Sequence, residues 1–275
     1  MANILVLGSS GQVGAYAVEY FKNQGHHVNE FDYVRNEQED LRKINNDLLD
    51  FAISQSDFVF FLAFDVGGSR YLSKYQHTFE FIENNILVML NTFSALKKHN
   101  KKFIFASSQM SNMSYSPYGV LKAVGENYTK SLNGRIVKFW NVYGVEHDLE
   151  KSHVITDFII KAKTNKVIDM MTDGQEEREF LYADDCCKAL DAVMINYDNF
   201  TSDTELNITS FESTKIIDIA NIIAEYFDAK VSPSDKIDSV QMNKKNIADK
   251  TILDYWTPET SIKDGIYKII GVIND

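Results

Sequence analysis

Two periodicities alternate along the chain. Compact apolar runs at residues 3–7, 27–31, 57–64, 103–106 and 135–140 predict buried strands. Between them, residues 12–23, 41–53, 79–99 and 118–132 repeat apolar positions at helical spacing and predict helices. This β-α-β-α succession predicts an α/β protein whose parallel sheet is covered by helices on both faces. Right-handed crossovers make such a sheet doubly wound, and its ligands bind beyond the carboxyl ends of the strands. The first three strands run there into Gly8, Asp32 and Ala63, which become candidates for a site. After about residue 145 the rhythm loosens. Helical segments persist at 154–163, 185–196, 215–227 and 261–271, but strands become short and scattered. The expected division is a first domain over residues 1–145 and a smaller lobe over 146–275, their segments interleaving, with no Pro-, Gly- or Ser-rich linker between them.

Charge then narrows the partners. The 275 residues carry 28 Lys+Arg against 39 Asp+Glu, a net charge of −11. That balance argues against nucleic acid, because a phosphate backbone needs a basic face. The longest apolar run, residues 58–64, is far shorter than the ~18 residues that suggest a membrane span, so no membrane partner is expected. Met1-Ala2-Asn3 leads directly into a strand-like run, without the basic and apolar regions of a signal peptide. The two cysteines, Cys186 and Cys187, are adjacent and poorly placed for a disulfide, and no zinc-type spacing occurs. A cytoplasmic, reducing location and no metal are the expectations.

Gly8-Ser9-Ser10-Gly11-Gln12-Val13-Gly14 leaves the first strand and opens the first helix. A dinucleotide pyrophosphate needs that arrangement. The first glycine makes the tight turn, the second lets the phosphates approach, and the third allows helix–sheet packing. The helix N-terminus adds free N–H groups, so Ser10, Gly11, Gln12 and Val13 are candidate phosphate contacts. The G-x-x-G-x-x-G spacing departs from G-x-G-x-x-G, and a purely structural turn is the alternative. Asp32 ends the second strand. An acid there accepts hydrogen bonds from both ribose hydroxyls and repels a 2′-phosphate, favouring NAD over NADP. Arg35, three residues on, suits a 2′-phosphate instead, so NADP stays open; both can also be solvated loop charges. The first domain is thus expected to be a Rossmann-type NAD-binding domain.

Tyr118 and Lys122 lie four residues apart on one face of a predicted helix. A nearby ammonium and a nicotinamide charge both favour phenolate, lowering a tyrosine pKa from ~10 toward neutrality. Such a tyrosine exchanges a proton with a substrate hydroxyl while hydride passes to or from the cofactor. Ser107 and Ser108 end the strand upstream, where a hydroxyl can hold the reacting oxygen.

These motifs together resemble the extended short-chain dehydrogenase/reductases of the nucleotide-sugar epimerase/dehydratase group, over nearly the whole chain. GSSGQVG is similar to the family's phosphate loop, Asp40-Leu41 to its adenine-side pair, and Phe61-Leu62-Ala63-Phe64 to its strand-four motif. Asn85 is similar to the asparagine of its central helix. FASS (105–108) and SPYGVLK (116–122) match the catalytic residues, giving Ser108, Tyr118 and Lys122. In FWNVYG (139–144), Asn141 matches an asparagine that contacts the substrate diphosphate. In REFLYADD (178–185), Arg178 matches the arginine that clamps the sugar-nucleotide phosphates. Trp256-Thr257-Pro258, with Ile262 and Gly265, resembles the closing motif. The resemblance implies a nucleotide-diphosphate sugar as substrate, with NAD as cofactor. Many relatives form a homodimer through the long helix and the Tyr-bearing helix, and the apolar content of residues 79–96 permits one. Independently, a planar guanidinium at Arg178 suits bidentate phosphate binding, although Glu177 or Glu179 can also pair with it.

Departures from the family pattern restrict the chemistry. The family's 4,6-dehydratases carry Asp-Glu directly after the catalytic Ser or Thr; here Gln109-Met110 stand there, so dehydration is not expected. Ser152-His153-Val154-Ile155 resembles GDP-fucose synthase, whose histidine works with a cysteine in 3,5-epimerisation. Gln109 matches that cysteine and cannot transfer a proton. His153 is left to position substrate or to start a helix, and Gln109 is a candidate substrate contact. Gly67-Gly68 resembles the GG loop of the GDP-sugar branch, where glycines let a hexose approach the nicotinamide. Lys244 and Lys245 either reach phosphate or form a solvated loop. What remains is chemistry at one carbinol. C4 epimerisation through a 4-keto intermediate is the expected activity. NAD(P)H-dependent 4-keto-sugar reduction uses the same residues, and a non-catalytic dinucleotide sensor is a third reading that the intact Ser108–Tyr118–Lys122 set opposes.

Overall fold

A computed structural model of the protein describes residues 1–236 and 246–274. Strands β1 (Asn3–Leu7), β2 (His27–Phe31), β3 (Phe58–Phe61), β4 (Lys102–Ser108) and β5 (Arg135–Phe139) pair in parallel in the order β2-β1-β3-β4-β5. The winding reverses between β1 and β3, the switch point where open α/β sheets bind ligands. Helices α1 (Gln12–Asn23), α2 (Asp47–Gln55), α3 (Ser69–Tyr75), α4 (Phe79–His99) and α5 (Pro117–Ser131) connect these strands. Successive strand residues point to opposite faces, and both faces are covered, which is why the strands are apolar throughout. Leu5, Leu7, Phe61 and Phe105 pack under α2, α4 and α5, whereas Ile4, Val6, Phe60 and Ile104 pack under α1. The doubly wound expectation holds.

The remaining elements are β6 (Asn141–Tyr143), α6 (Val154–Asn165), β7 (Val167–Asp169), β8 (Glu177–Tyr182), α7 (Ala183–Ile195), β9 (Glu205–Ile208), β10 (Ser213–Lys215), α8 (Ile216–Phe227), β11 (Lys230–Ser232) and α9 (Ile262–Asn274). β10, β8 and β6 form a second sheet, and α6, α8 and α9 enclose a separate core around Ile159, Ile219, Ile223 and Ile266. Several segments after residue 145 return to the first sheet. β9 pairs with β5 in the main sheet, and α7 buries Cys186 and Cys187 against the α1 side of it. Ile252 and Trp256 return to the same core. After β5 the sheet still has an open edge and a partly bare face, and later segments cover both.

Two local expectations are corrected. The helix expected at 41–53 starts only at Asp47, because the Asn46 side chain caps it by accepting from the N–H groups of Leu48 and Leu49 at 3.1 and 3.2 Å. Leu41 lies before it, turned into the core. β3 stops at Phe61, short of the strand expected to 64, and the residues after it form a loop leading into α3, a helix that the apolar pattern does not predict. Of α3's seven residues Leu72 alone is buried, too little to leave a periodic signal. Among the described residues, no helix is long and apolar enough to cross a membrane. Lys244 and Lys245 lie outside the described residues.

Candidate active site

The carboxyl ends of the strands open into one cavity of about 1000 Å³, with the smaller lobe forming its opposite wall. That is the upper end of the usual range for small-ligand sites. At its floor, Gly8 sits at φ 86°, and a Cβ there would lie 2.7 Å from the Ala63 backbone. A Cβ on Gly14 would lie 1.9 Å from the Gly8 carbonyl oxygen, so α1 could not approach β1 with any larger residue. Gly11 begins α1 without a side-chain cap, leaving first-turn N–H groups beside the cavity, where Gly11, Gln12, Val13 and Gly14 line the wall. The Gln12 Nε2 atom is buried without a hydrogen-bond partner. A glycine cradle, an uncapped helix start and an orphaned amide donor fit a dinucleotide diphosphate.

Asp32 stands at the cavity edge, its Oδ2 accepting from the Ser10 N–H and its Oδ1 from the Val34 N–H, each at 3.0 Å. Arg35 is ion-paired with Glu30 and does not line the cavity. Asp40 and Leu41 line the same end. Arg42 grips the Asp40 carboxylate through two nitrogens at 2.9 and 2.8 Å and holds it below the ordinary carboxylate range. Leu62, Ala63 and Phe64 line the middle. Asn85, expected to touch the cofactor, is instead fully buried outside the lining. Its Oδ1 accepts from the Asp65 N–H at 2.8 Å, and its Nδ2 donates to the Asp65 and Phe81 carbonyls. It fixes the loop after β3.

Ser108, Tyr118 and Lys122 share one wall. Tyr118 enters through the first turn of α5, which Pro117 opens and Ser116 caps. Lys122 Nζ donates to the Ala106 carbonyl at 2.6 Å and sits 3.7 Å above the Phe64 ring. Burial lowers its pKa to about 7, with the charge of Glu126 opposing. Burial likewise pushes the Tyr118 phenol up to about 12, with the Ser108 hydroxyl pulling the other way. The expected depression of the tyrosine by its lysine is therefore absent from the protein alone. Lys122 is committed to a carbonyl and a ring face, and desolvation outweighs its charge. Ser107 is in the wall as well, but its hydroxyl donates to Glu126 Oε1 at 2.5 Å.

On the facing side, Asn141 and Arg178 line the cavity. The Asn141 Nδ2 donates to the Glu179 carbonyl and the Arg178 Nη1 to the Glu177 carbonyl, which orients both side chains. Gln109 departs from expectation: it does not line this cavity, and Asn246 Nδ2 donates to its backbone and side-chain oxygens at 2.9 and 3.2 Å. Met110, the next residue, is in the wall and apolar. Gly67 and Gly68 are in the lining, yet their missing side chains make room for protein: a Cβ on Gly68 would lie 2.4 Å from the Ser152 carbonyl oxygen, and its N–H donates to the Lys151 carbonyl.

His153 lines the cavity as expected of a substrate contact, and so do Glu146, Asp65 and Lys151, which the sequence reading does not single out. His153 starts α6, and its Nδ1 meets Glu146 Oε1 at 2.6 Å. Burial would raise Glu146, but His153 and Thr156 hold it below its ordinary value. Asp65 accepts from Tyr71, Lys151 and Asn84 at 2.7, 2.9 and 3.2 Å, and despite burial stays below the ordinary carboxylate range. The Asp65–Lys151 pair ties the loop after β3 to the segment before α6, and Arg70–Asp157 at 2.7 Å ties α3 to α6 itself. Asp65 could have been suspected from its place at a strand's carboxyl end; nothing local marks Lys151 or Glu146.

The model of the family described as NAD dependent epimerase/dehydratase matches residues 4–209 of the 275. An uncharacterized UDP-glucose epimerase of Bacillus subtilis (strain 168), YtcB, is 28% identical over 228 residues, covering 72% of this chain and 69% of its own. UDP-glucuronic acid decarboxylase 1 of Xenopus tropicalis is 21% identical, covering 97% of this chain and 71% of its own. Among solved structures, an epimerase from Methanothermobacter thermautotrophicus has a TM-score of 0.85 at 20% identity, covering 99% of this chain and 92% of that one, a likeness of fold. A switch-point cavity, a glycine cradle beneath α1 and a family match over well over half the length lead to one conclusion: this chain belongs to the NAD dependent epimerase/dehydratase family of nucleotide-sugar-modifying enzymes, whose cofactor is NAD.

Proposed function

We propose that the protein is a nucleotide-sugar C4 epimerase that retains its NAD and works through a 4-keto intermediate. The observation that carries this reading is the makeup of the wall around Tyr118. Ser108, Tyr118 and Lys122 line it together, whereas the two positions after Ser108 offer no acid: Gln109 is turned toward Asn246 and Met110 is apolar. Water elimination needs a separate acid and base there; exchange of one hydroxyl proton does not.

In this reading the N–H groups of Gly11 to Val13 and the Gln12 amide hold the dinucleotide phosphates. Asp32 takes ribose hydroxyls, Asp40 and Leu41 border the adenine, and Leu62 to Phe64 lie along the cofactor. NAD, when bound, supplies a hydride acceptor and donor and, while oxidised, a positive charge near the phenol. Tyr118 takes the C4 hydroxyl proton and later returns it, and Ser108 holds the same oxygen. The Lys122 ammonium, too weak alone to overcome the desolvation that holds Tyr118 as a phenol, acts together with the nicotinamide charge to favour the phenolate. Asn141 and Arg178 bind the substrate diphosphate, and His153, oriented by Glu146, positions the sugar. Because YtcB is named a UDP-glucose epimerase, UDP-glucose and its C4 epimer are the first substrates to test. The reading includes a homodimer. Ile86 and Leu90 on α4, with Val120, Val124 and Tyr128 on α5, form an exposed apolar strip that a second copy would cover.

The test is to denature purified protein, identify the released nucleotide, and offer UDP-, GDP- and dTDP-hexoses with and without NAD(P)H. Released NAD and redox-neutral interconversion of C4 epimers are expected. Stoichiometric NAD(P)H oxidation on a 4-keto sugar would replace epimerase by reductase. Inertness on every sugar, with NAD still bound, would favour a sensor.

A further inference from the structure

Behind the wall that carries Tyr118, Lys122 continues into a row of charges that the chemistry above does not use: Glu126 and Lys138 are buried, and Glu205 ends the row at the surface. Glu126 lies four residues beyond Lys122 on the same face of α5 and is 8% exposed. Its Oε1 accepts from Ser107 Oγ at 2.5 Å and lies 3.5 Å from Lys138 Nζ on β5. The Lys138 side chain is 1% exposed, and its ammonium also lies 2.9 Å from Glu205 Oε1 on β9. Neither contact has hydrogen-bond angles, so the pairing is one of charge alone. Signs alternate from the cavity to the sheet edge: Lys122, Glu126, Lys138, Glu205.

A buried ammonium is costly without a counter-charge. Lys122 has a carbonyl dipole and the face of Phe64 in contact, and neither carries a full negative charge. We propose that Glu126 is a positioning residue for the reaction: it is the counter-charge that holds Lys122 as an ammonium in the wall, and Lys138 weakens that hold by drawing on the same carboxylate. This rests on the assignment of Ser108, Tyr118 and Lys122 made above. Around Glu126 lie Ser107 from β4, Lys138 from β5 and, beyond it, Glu205 from β9, with Lys122 one turn earlier on its own helix, where the Glu126 charge acts on it without an ion-pair contact. Contacts from α4, such as Phe93 stacked on Tyr128 and Met89 beside Gly125, bring no charge.

The two variants must therefore act with opposite sign. Removing the Glu126 charge lets burial lower Lys122 further, so the ammonium is lost at lower pH. Removing Lys138 leaves Glu126 wholly to Lys122, so the ammonium persists to higher pH. Full-length protein with 13C at lysine Cε, its Lys122 signal assigned by Lys122→Arg, reads this titration without any turnover. Glu126→Gln is expected to lower the midpoint by about one pH unit or more, and Lys138→Met to raise it. Activity that needs the ammonium is lost as pH rises through the midpoint, so the alkaline limb of the pH–rate profile moves in the same direction for each. Unmoved midpoints, or two shifts of one sign such as a loosened helix would give, overturn the proposal. If Glu126→Gln does not fold, an unmoved midpoint in Lys138→Met overturns it alone. Failure of the epimerase reading looks different: the midpoints separate as expected while no nucleotide sugar is turned over.

Discussion

Tyr118 and Lys122 are each held by burial in the neutral direction, the phenol up at about 12 and the ammonium down at about 7. Tyr118→Phe should leave NAD binding intact while lowering kcat by about 10²–10⁴-fold, checked by cofactor content and by epimer interconversion. Lys122 also implies a stability cost. Its folded value lies below the unfolded 10.5, so between about 7 and 10.5 the unfolded chain binds more protons and stability rises with pH. Below that window the penalty is complete, on the order of a few kcal/mol. Thermal melts of NAD-free protein should show Lys122→Met gaining more at about pH 6 than at about pH 10. At the other end of the cavity, the pairing of Arg35 with Glu30 predicts preference for NAD. Glu30→Gln should release that guanidinium and tighten NADP binding relative to NAD, read by titrating both cofactors.

The glycine loop was legible as an element because its function is local: a strand, three close glycines and a helix start lie within fourteen residues. Gly14→Ala tests it. With backbone only 1.9 Å from the added Cβ, α1 must move off β1, and loss of bound NAD with about 1–3 kcal/mol of destabilisation is expected in melts and cofactor content. The loop between β3 and α4 was not legible. Its conformation follows from Asn85 below and from Lys151 and Asp157 across the cavity, so residues far along the chain shape it. For α2 the reason is local instead: the Asn46 cap, two and three residues from the N–H groups it binds, chooses the start over an apolar pattern that extends further back.

For the whole molecule, the exposed strip on α4 and α5 predicts a dimer. Light scattering of Leu90→Glu with Val124→Glu should report a monomer where the unaltered chain gives twice that mass. An equal mass in both would remove the homodimer from the proposal. The doubly wound sheet, the glycine loop and the placing of Ser108, Tyr118 and Lys122 on neighbouring elements were determined by the sequence itself. Each depends on a periodicity or on residues only a few positions apart. Tertiary structure alone decided which charges meet: Arg35 with Glu30, Asp65 with Lys151, His153 with Glu146, Lys138 with Glu126. It also drew Gln109 toward Asn246, 137 positions away, and brought β9 back beside β5. Such meetings are outcomes of packing elements against one another, within a lobe or between the two, and no local pattern of apolar and polar residues encodes them.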